Sequence, residues 1–310
     1  MSMKFLVRGN VPAVVTPFTP NGEIMMDTYQ ELVQWHLGQC VDGICVAGDN
    51  GESWSLLTEE RRQLAAATVN IVGGRVPVVM GVSATMARQT IVYADAAANA
   101  GVDALMIGPQ SYVMKATTQE LVQRITTIHR AVPLPIVLYN SPRRTNISLT
   151  IDSMRALTEA VNIIALKEAS RDFFYLSHII RSFAGKLAVM VGPAPFILPG
   201  LALGAAGFIS SGPELLDGVA RTLLQLAASA PTPRLRETHY RLTRVYETLM
   251  SLGTWPAALK AGHKLIGRDV GVPREPVLPL DADGIATLAA VLNECGALLV
   301  EQKPSRTVVD

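Results

Sequence analysis

A chain of 310 residues with a formal net charge of +1 has room for one large domain and an appendage. It carries neither the basic excess of a nucleic-acid footprint nor a polybasic membrane patch, so neither partner is expected. Hydrophobic residues make up 49% of the chain and aromatics only 5%, so Ala, Val, Leu and Ile fill the core, as in stacked strands and helices.

The first strand is predicted at 11–15 (VPAVV), followed by a helix through TYQELVQWHLGQC that Asp27 can cap. A second strand at 43–48 (GICVAG) leads to a helix from Thr58, where Arg61 misses the capping-box position but Glu59 and Glu60 favour the first turn. Strands at 76–82 and 103–108 flank an alanine-rich helix from Ala87 to Ala100, closed by Gly101. Strands at 134–140, 163–169, 187–192 and 206–210 alternate with helices at 118–132, 151–160, 173–184 and 195–203. Each apolar run is short and lacks the alternation of a one-sided sheet, which marks parallel strands buried on both faces. Eight such units predict a closed (β/α)8 TIM barrel, class α/β, rather than a doubly wound sheet, and no GxGxxG follows the first strand.

After Gly212 only helices are predicted, at 214–230, 234–252, 255–266 and 283–300. They exceed what closes a barrel. The expected division is a catalytic barrel over 1–225 and a C-terminal helical extension over 226–310, with a loose tail from Gln302. The opening residues lack the apolar stretch of a leader, and no apolar run reaches the roughly 18 residues of a membrane span. Three cysteines, Cys40, Cys45 and Cys295, fit reduced thiols in the cytoplasm. The Cys40/Cys45 pair lacks CxxC spacing, and the histidines form no i, i+4 pair, so no metal is expected. All five histidines are expected to be structural or surface residues.

In such a barrel the chemistry sits at the C-terminal strand ends. Those ends are Thr16-Pro17, Gly48-Asp49-Asn50-Gly51-Glu52, Ser83, Pro109 onward, Tyr139-Asn140, Lys167-Glu168, Gly192 and Ser210-Ser211. Lys167 ends a buried run, where desolvation favours the neutral amine, a nucleophile for a carbonyl. Tyr139 ends the preceding strand and could move protons during imine formation. The rival reading is a structural lysine paired with Glu168. Neighbouring strand residues face opposite ways, which places Glu168 badly for that pairing and on the outer face.

Six ordered motifs now carry a resemblance: AVVTPF, GDNGE at 48–52, YNSPRRT at 139–145, LKEAS at 166–170, GPAPFILPGLALGAAGFIS at 192–210 and WPAALKAGHKLIG at 255–267. From about Val11 to Ile266 the chain resembles the pyruvate-dependent class I aldolases that include dihydrodipicolinate synthase and N-acetylneuraminate lyase. The resemblance implies that Lys167 forms an imine with a 2-keto acid and that Tyr139 shuttles protons. It implies that backbone N–H groups of Gly48, Asn50 and Gly51 hold the keto-acid carboxylate, and that an Ile209 carbonyl faces the site. Arg144 is implied to meet the carboxylate of an aldehyde partner. No cofactor is implied beyond the covalent imine, and a homotetramer, a dimer of dimers, is expected.

Two departures stand out. Asp49 replaces the first hydroxyl of the family's GTTGE-type loop, the proton relay of the synthase, and Asn50 replaces the second. After the fourth strand PQSYVMK replaces a PYY-type segment, so Tyr112 is the candidate for a tyrosine that crosses to a neighbouring subunit. The histidines of a lysine-feedback site are absent. Dihydrodipicolinate synthase is the nearest activity. A 2-keto-3-deoxy sugar-acid aldolase or dehydratase, an N-acetylneuraminate-type lyase, and a catalytically reduced keto-acid binder are the alternatives, and a metal-dependent hydrolase lacks its ligand pairs.

Overall fold

The structure is a computed structural model and describes residues 7–39, 41–227 and 232–298. The tail from Gln302 and Cys40 lie outside these residues. Eight parallel strands are β1 (Gly9–Asn10), β2 (Ile44–Val46), β3 (Val78–Gly81), β4 (Ala104–Ile107), β5 (Ile136–Asn140), β6 (Ile163–Glu168), β7 (Ala188–Val191) and β8 (Gly207–Phe208). Their order is β1-β8-β7-β6-β5-β4-β3-β2. The two ends of this order meet. Ala13 bridges Cys45, the Cys45 N–H donates to the Pro12 carbonyl, and the Val14 N–H donates to the Cys45 carbonyl. The sheet therefore closes into the predicted barrel.

The first strand differs from its prediction. Regular pairing with β8 falls on Gly9–Asn10, and the extended 11–15 segment makes one bond to β8, from the Val11 N–H, and two to Cys45 of β2. Pro12 is one reason, since it has no N–H to donate. Close approach fixes the β1–β8 contact: a Cβ on Gly207 would lie 2.2 Å from the Gly9 carbonyl oxygen.

The intervening helices are α1 (Met26–Gly38), α2 (Thr58–Val72), α3 (Ala87–Ala100), α4 (Thr118–Ala131), the single turn α5 (Pro142–Thr145), α6 (Ile151–Ala160), α7 (Phe173–Ser182) and α8 (Ile197–Ala202). Asp27 lies inside the first turn of α1 and makes no capping bond, so it acts there only as a favourable charge. On α2 the Glu60 carboxylate accepts the Leu57 N–H at 2.8 Å, half of a capping box that begins one residue earlier than Thr58. Thr117 and Glu120 form a full box on α4.

The C-terminal helices are α9 (Val219–Leu226), α10 (Pro233–Ser251), α11 (Ala257–Leu265) and α12 (Ala282–Glu294). The helix expected from Glu214 starts later. Pro213–Leu215 is a 3-10 turn, and Gly218 at φ 67° interrupts the backbone before α9 begins. Helix α10 packs on α9, on α12 and on the 3-10 turn Ala194–Phe196 that precedes α8. That contact brings part of the extension to the mouth of the barrel. Among the described residues no helix is long and apolar enough to cross a membrane.

Two cores form. One lies between strands and helices; the other fills the barrel with Val11, Ala13, Cys45, Val79, Ala104, Met106, Val137, Ala165, Met190 and Ile209. Val137 and Ala165 point inward, so two residues on along the same faces Tyr139 and Lys167 point inward as well. Strand geometry thus delivers both to the mouth.

Candidate active site

Tyr139 and Lys167 are partners in the β5–β6 register, and the Lys167 amine lies 4.6 Å from the centre of the Tyr139 ring. Lys167 is 5% exposed and, among the described residues, has no carboxylate at ion-pair distance. Burial lowers its pKa from the usual ammonium range, with Cys45 and Asp49 pulling the other way. Burial raises the Tyr139 phenol above its usual range, the Asp49 charge adds to this, and the Ser141 hydroxyl works against it. The site therefore holds an amine biased toward its neutral form beside a phenol biased toward keeping its proton.

The pairing of Lys167 with Glu168 does not form. Glu168 faces the opposite side, as its strand position requires, but it is not incidental there. It is 2% exposed, accepting the Asn140 amide at 2.6 Å and the Ser170 N–H at 2.6 Å. Asn140 in turn accepts the Leu149 N–H at 3.0 Å. Glu168 thus ties the end of β6 to the end of β5 and to the segment after α5, so it holds the two strands that present Lys167 and Tyr139.

The GDNGE loop is bounded by Ala47 at φ 50° and Glu52 at φ 55°, left-handed positions that non-glycine residues rarely adopt. Such strain persists only where surroundings over-determine it. The surroundings are visible. Glu52 is fully buried and lies 2.6 Å from the Lys260 amine of α11, while its second oxygen accepts the Arg274 N–H at 2.8 Å. Lys260 also donates to the Val272 carbonyl at 2.7 Å and sits over the Phe18 ring. Thr16 donates its hydroxyl to the Gly51 carbonyl at 2.8 Å, and a Cβ on Gly51 would meet the Val14 carbonyl at 3.0 Å. The Asn50 amide donates to the Ala13 carbonyl at 3.0 Å and faces the Ser211 hydroxyl at 2.8 Å. The Asn50 side chain is therefore committed to the scaffold. Its N–H and that of Asp49 donate to no acceptor among the described residues.

Asp49 does not face into the barrel unpaired. One of its oxygens accepts both Nε and Nη2 of Arg144, at 3.1 and 2.9 Å. Asp49, Asn50, Tyr139, Arg144, Lys167 and Ile209 line one cavity, and Ser141, Arg143, Ala169, Arg171, Gly192, Pro193, Ser211, Tyr246, Met250 and Trp255 complete its wall. Gly48 lines an adjoining cavity, together with Ser83, Arg61 and Tyr93, and the two share Asp49, Tyr139 and Arg144. Tyr112 joins neither. It is 91% exposed at φ 74°, on the loop after β4.

Sequence reasoning missed Lys260, Arg171, Tyr246 and Met250. Lys260 had a signal, since it sits among alanines and leucine in AALKAGH where an unpaired lysine is out of place. Its pKa falls to about 8 through burial, opposed by Glu52. Among the described residues it is the buried lysine with a carboxylate partner, and Lys167 is the one without. Tyr246 and Met250 had none, because only the docking of α10 brings them near β6. The buried His36 and His263 flank Trp35, and burial holds both near pKa about 3, away from this site. Among the described residues no group of three or more His, Cys, Asp or Glu could hold a metal ion.

Comparison with known proteins agrees with this geometry. Residues 6–295 match the model of the Dihydrodipicolinate synthetase family. The chain is 32% identical to 4-hydroxy-tetrahydrodipicolinate synthase of Neisseria meningitidis over 298 residues, covering 94% of this chain and all of that one. It is 31% identical to 4-hydroxy-tetrahydrodipicolinate synthase 1 of Halalkalibacterium halodurans, covering 91% and 95%. The crystal structure of dihydrodipicolinate synthase from Bacillus anthracis superposes with a TM-score of 0.88 at 30% identity, over 93% of this chain and 99% of that one. A prophage protein of the same family from E. coli K12, solved in complex with pyruvate, gives 0.88 at 27% identity over 94% and 99%. The chain belongs to the dihydrodipicolinate synthetase family.

Proposed function

We propose that this protein is a lyase of the class I aldolase type, most similar to dihydrodipicolinate synthase, acting on pyruvate or a related 2-keto acid through an imine on Lys167. One observation carries the reading. Of the two buried lysines among the described residues, Lys260 is neutralised by Glu52 at 2.6 Å, whereas Lys167 stands without a carboxylate among them, next to a tyrosine, at the mouth of the barrel.

In the proposed reaction the neutral Lys167 amine adds to the C2 carbonyl of the keto acid, and water leaves as the imine forms. Tyr139 donates and recovers the protons of this addition and dehydration. Loss of a C3 proton gives an enamine, whose carbon bonds to the aldehyde carbonyl while the new alkoxide takes a proton. Water then hydrolyses the imine and frees Lys167. The imine is the electron sink, so no separate cofactor enters. The N–H groups of Asp49 and Asn50, without acceptors among the described residues, support a role in holding the keto-acid carboxylate, and Ile209 lines the same cavity.

The proposed setting is the cytoplasm, and the proposed assembly a homo-oligomer built as a dimer of dimers. Consecutive exposed apolar residues Tyr112, Val113 and Met114 beside the site support a covering subunit. Treatment with pyruvate and borohydride tests the function. Mass spectrometry should find the reduced adduct on Lys167, and Lys167→Ala should abolish it. An adduct on Lys260, or none, would overturn the reading.

A further inference from the structure

Beyond Lys167 the cavity does not end. Arg171, Pro193, Tyr246 and Met250 belong both to its wall and to a shallow groove that continues over Pro195 and Phe196. The cavity also adjoins the one lined by Ser83 and Arg61, and we take the body of a substrate joined to Lys167 to lie on the groove side, along these side chains. They are proline, phenylalanine, methionine and tyrosine, with one arginine at the edge, placed 5.7 Å over the Tyr246 ring. The polar residues Glu247 and Ser251 also line this groove and are solvent-exposed. A sugar chain needs a hydrogen-bonding group for each hydroxyl that it buries. This wall supplies few, and it offers stacking and apolar contact instead.

On the other side stands the Asp49–Arg144 pair. An arginine recognises a carboxylate best through two parallel N–H bonds. Here Nε and Nη2, which form one such fork, both point at a single Asp49 oxygen. A carboxylate on the second substrate would find the Arg144 fork occupied and the Asp49 charge beside it, which leaves Arg143 and Arg171 as the arginines of the wall that could still meet it. An uncharged substrate needs neither partner of that ion pair to be released.

Resting on the reading of Lys167 as the imine lysine, we infer that the carbonyl partner is an uncharged aldehyde with an apolar, flat body, and that Asp49 is the residue that selects against carboxylate-bearing aldehydes. The chemistry is the same aldol step: the enamine carbon bonds to the aldehyde carbon, the carbonyl oxygen takes a proton, and water releases the product from the imine.

The test uses the full chain with saturating pyruvate and three aldehydes: benzaldehyde, glyceraldehyde and succinic semialdehyde. Borohydride trapping of pyruvate is run beside it. The expected result is an adduct on Lys167 and a kcat/KM for benzaldehyde at least tenfold above both others. Asp49→Asn keeps the shape and removes the charge. It should raise the ratio of succinic semialdehyde to benzaldehyde at least fivefold, whatever it does to absolute rates. Phe196→Ser should lower the benzaldehyde value alone. An adduct together with faster turnover of glyceraldehyde or succinic semialdehyde would overturn this inference and leave the imine reading standing. So would an unchanged ratio in Asp49→Asn. Absence of the adduct would overturn both.

Discussion

At the scale of single residues the question is which protonation states the site favours. Lys167 attacks only as a neutral amine, and burial lowers its pKa below the ordinary value of about 10.4. The rate of pyruvate trapping should fall as pH drops through the folded-state pKa, with its midpoint on the acid side of about 10.4. A midpoint at or above that value would remove the argument from desolvation. Asp49 raises the Lys167 pKa, so Asp49→Asn should move the midpoint further toward acid. Linkage gives the sign for stability. The charged amine is penalised in the folded state, so the penalty is present below the folded pKa and is relieved as pH rises toward the unfolded value. Lys167→Met should therefore raise Tm at neutral pH while abolishing the adduct, a trade of stability for function. Tyr139→Phe removes the proton carrier and should reduce turnover about a hundredfold or more, with the fold intact by circular dichroism.

At the scale of elements, the GDNGE loop keeps its left-handed ends because α11 and the segment after it hold Glu52. Removing one partner of a buried ion pair leaves the other charge uncompensated, at a cost of about 3–5 kcal/mol. Lys260→Met should show that loss in denaturant unfolding, and Glu52→Gln with Lys260→Met should recover much of it. A single variant as stable as wild type would mean that the loop is anchored elsewhere. Much of this level was legible in the sequence. Seven of the eight strands lie within their predicted runs, because burial on both faces leaves an uninterrupted apolar signature. The strand ends could then be named, and Lys167 and Tyr139 fell on them. What was not legible depended on side-chain partners far apart in the chain. Glu52 and Lys260 lie far apart in the chain, and Glu168 takes its side-chain partner, Asn140, from the neighbouring strand. Asp49 and Arg144 were each singled out, but nothing in their spacing of 95 residues announced that they meet. The start of α9 was misplaced because a 3-10 turn and a helix share the same apolar composition.

At the scale of the whole molecule the single chain leaves an apolar loop uncovered. Tyr112, Val113 and Met114 are 91%, 54% and 54% exposed in succession, and Tyr112 and Met114 both hold positive φ, at 74° and 70°. A scattered exposed apolar residue needs no explanation, but three in a row on a strained loop mark a contact surface. The loop also borders the site, since Ser111 and Pro109 line the cavity that shares Asp49, Tyr139 and Arg144 with the Lys167 cavity. A neighbouring subunit seated there would shield the loop and close one side of the mouth from water. Sedimentation should give a mass of at least two chains of 33.2 kDa. Hydrogen exchange across 111–115 should slow as protein concentration rises through the association range. Val113→Asp places a charge in that contact. It should shift the equilibrium toward the single chain and reduce turnover with it, while leaving Tm of the dissociated chain unchanged, because Val113 is exposed within one copy. A wild-type mass of one chain, or a variant that assembles normally, would mean that the loop closes the site without a partner.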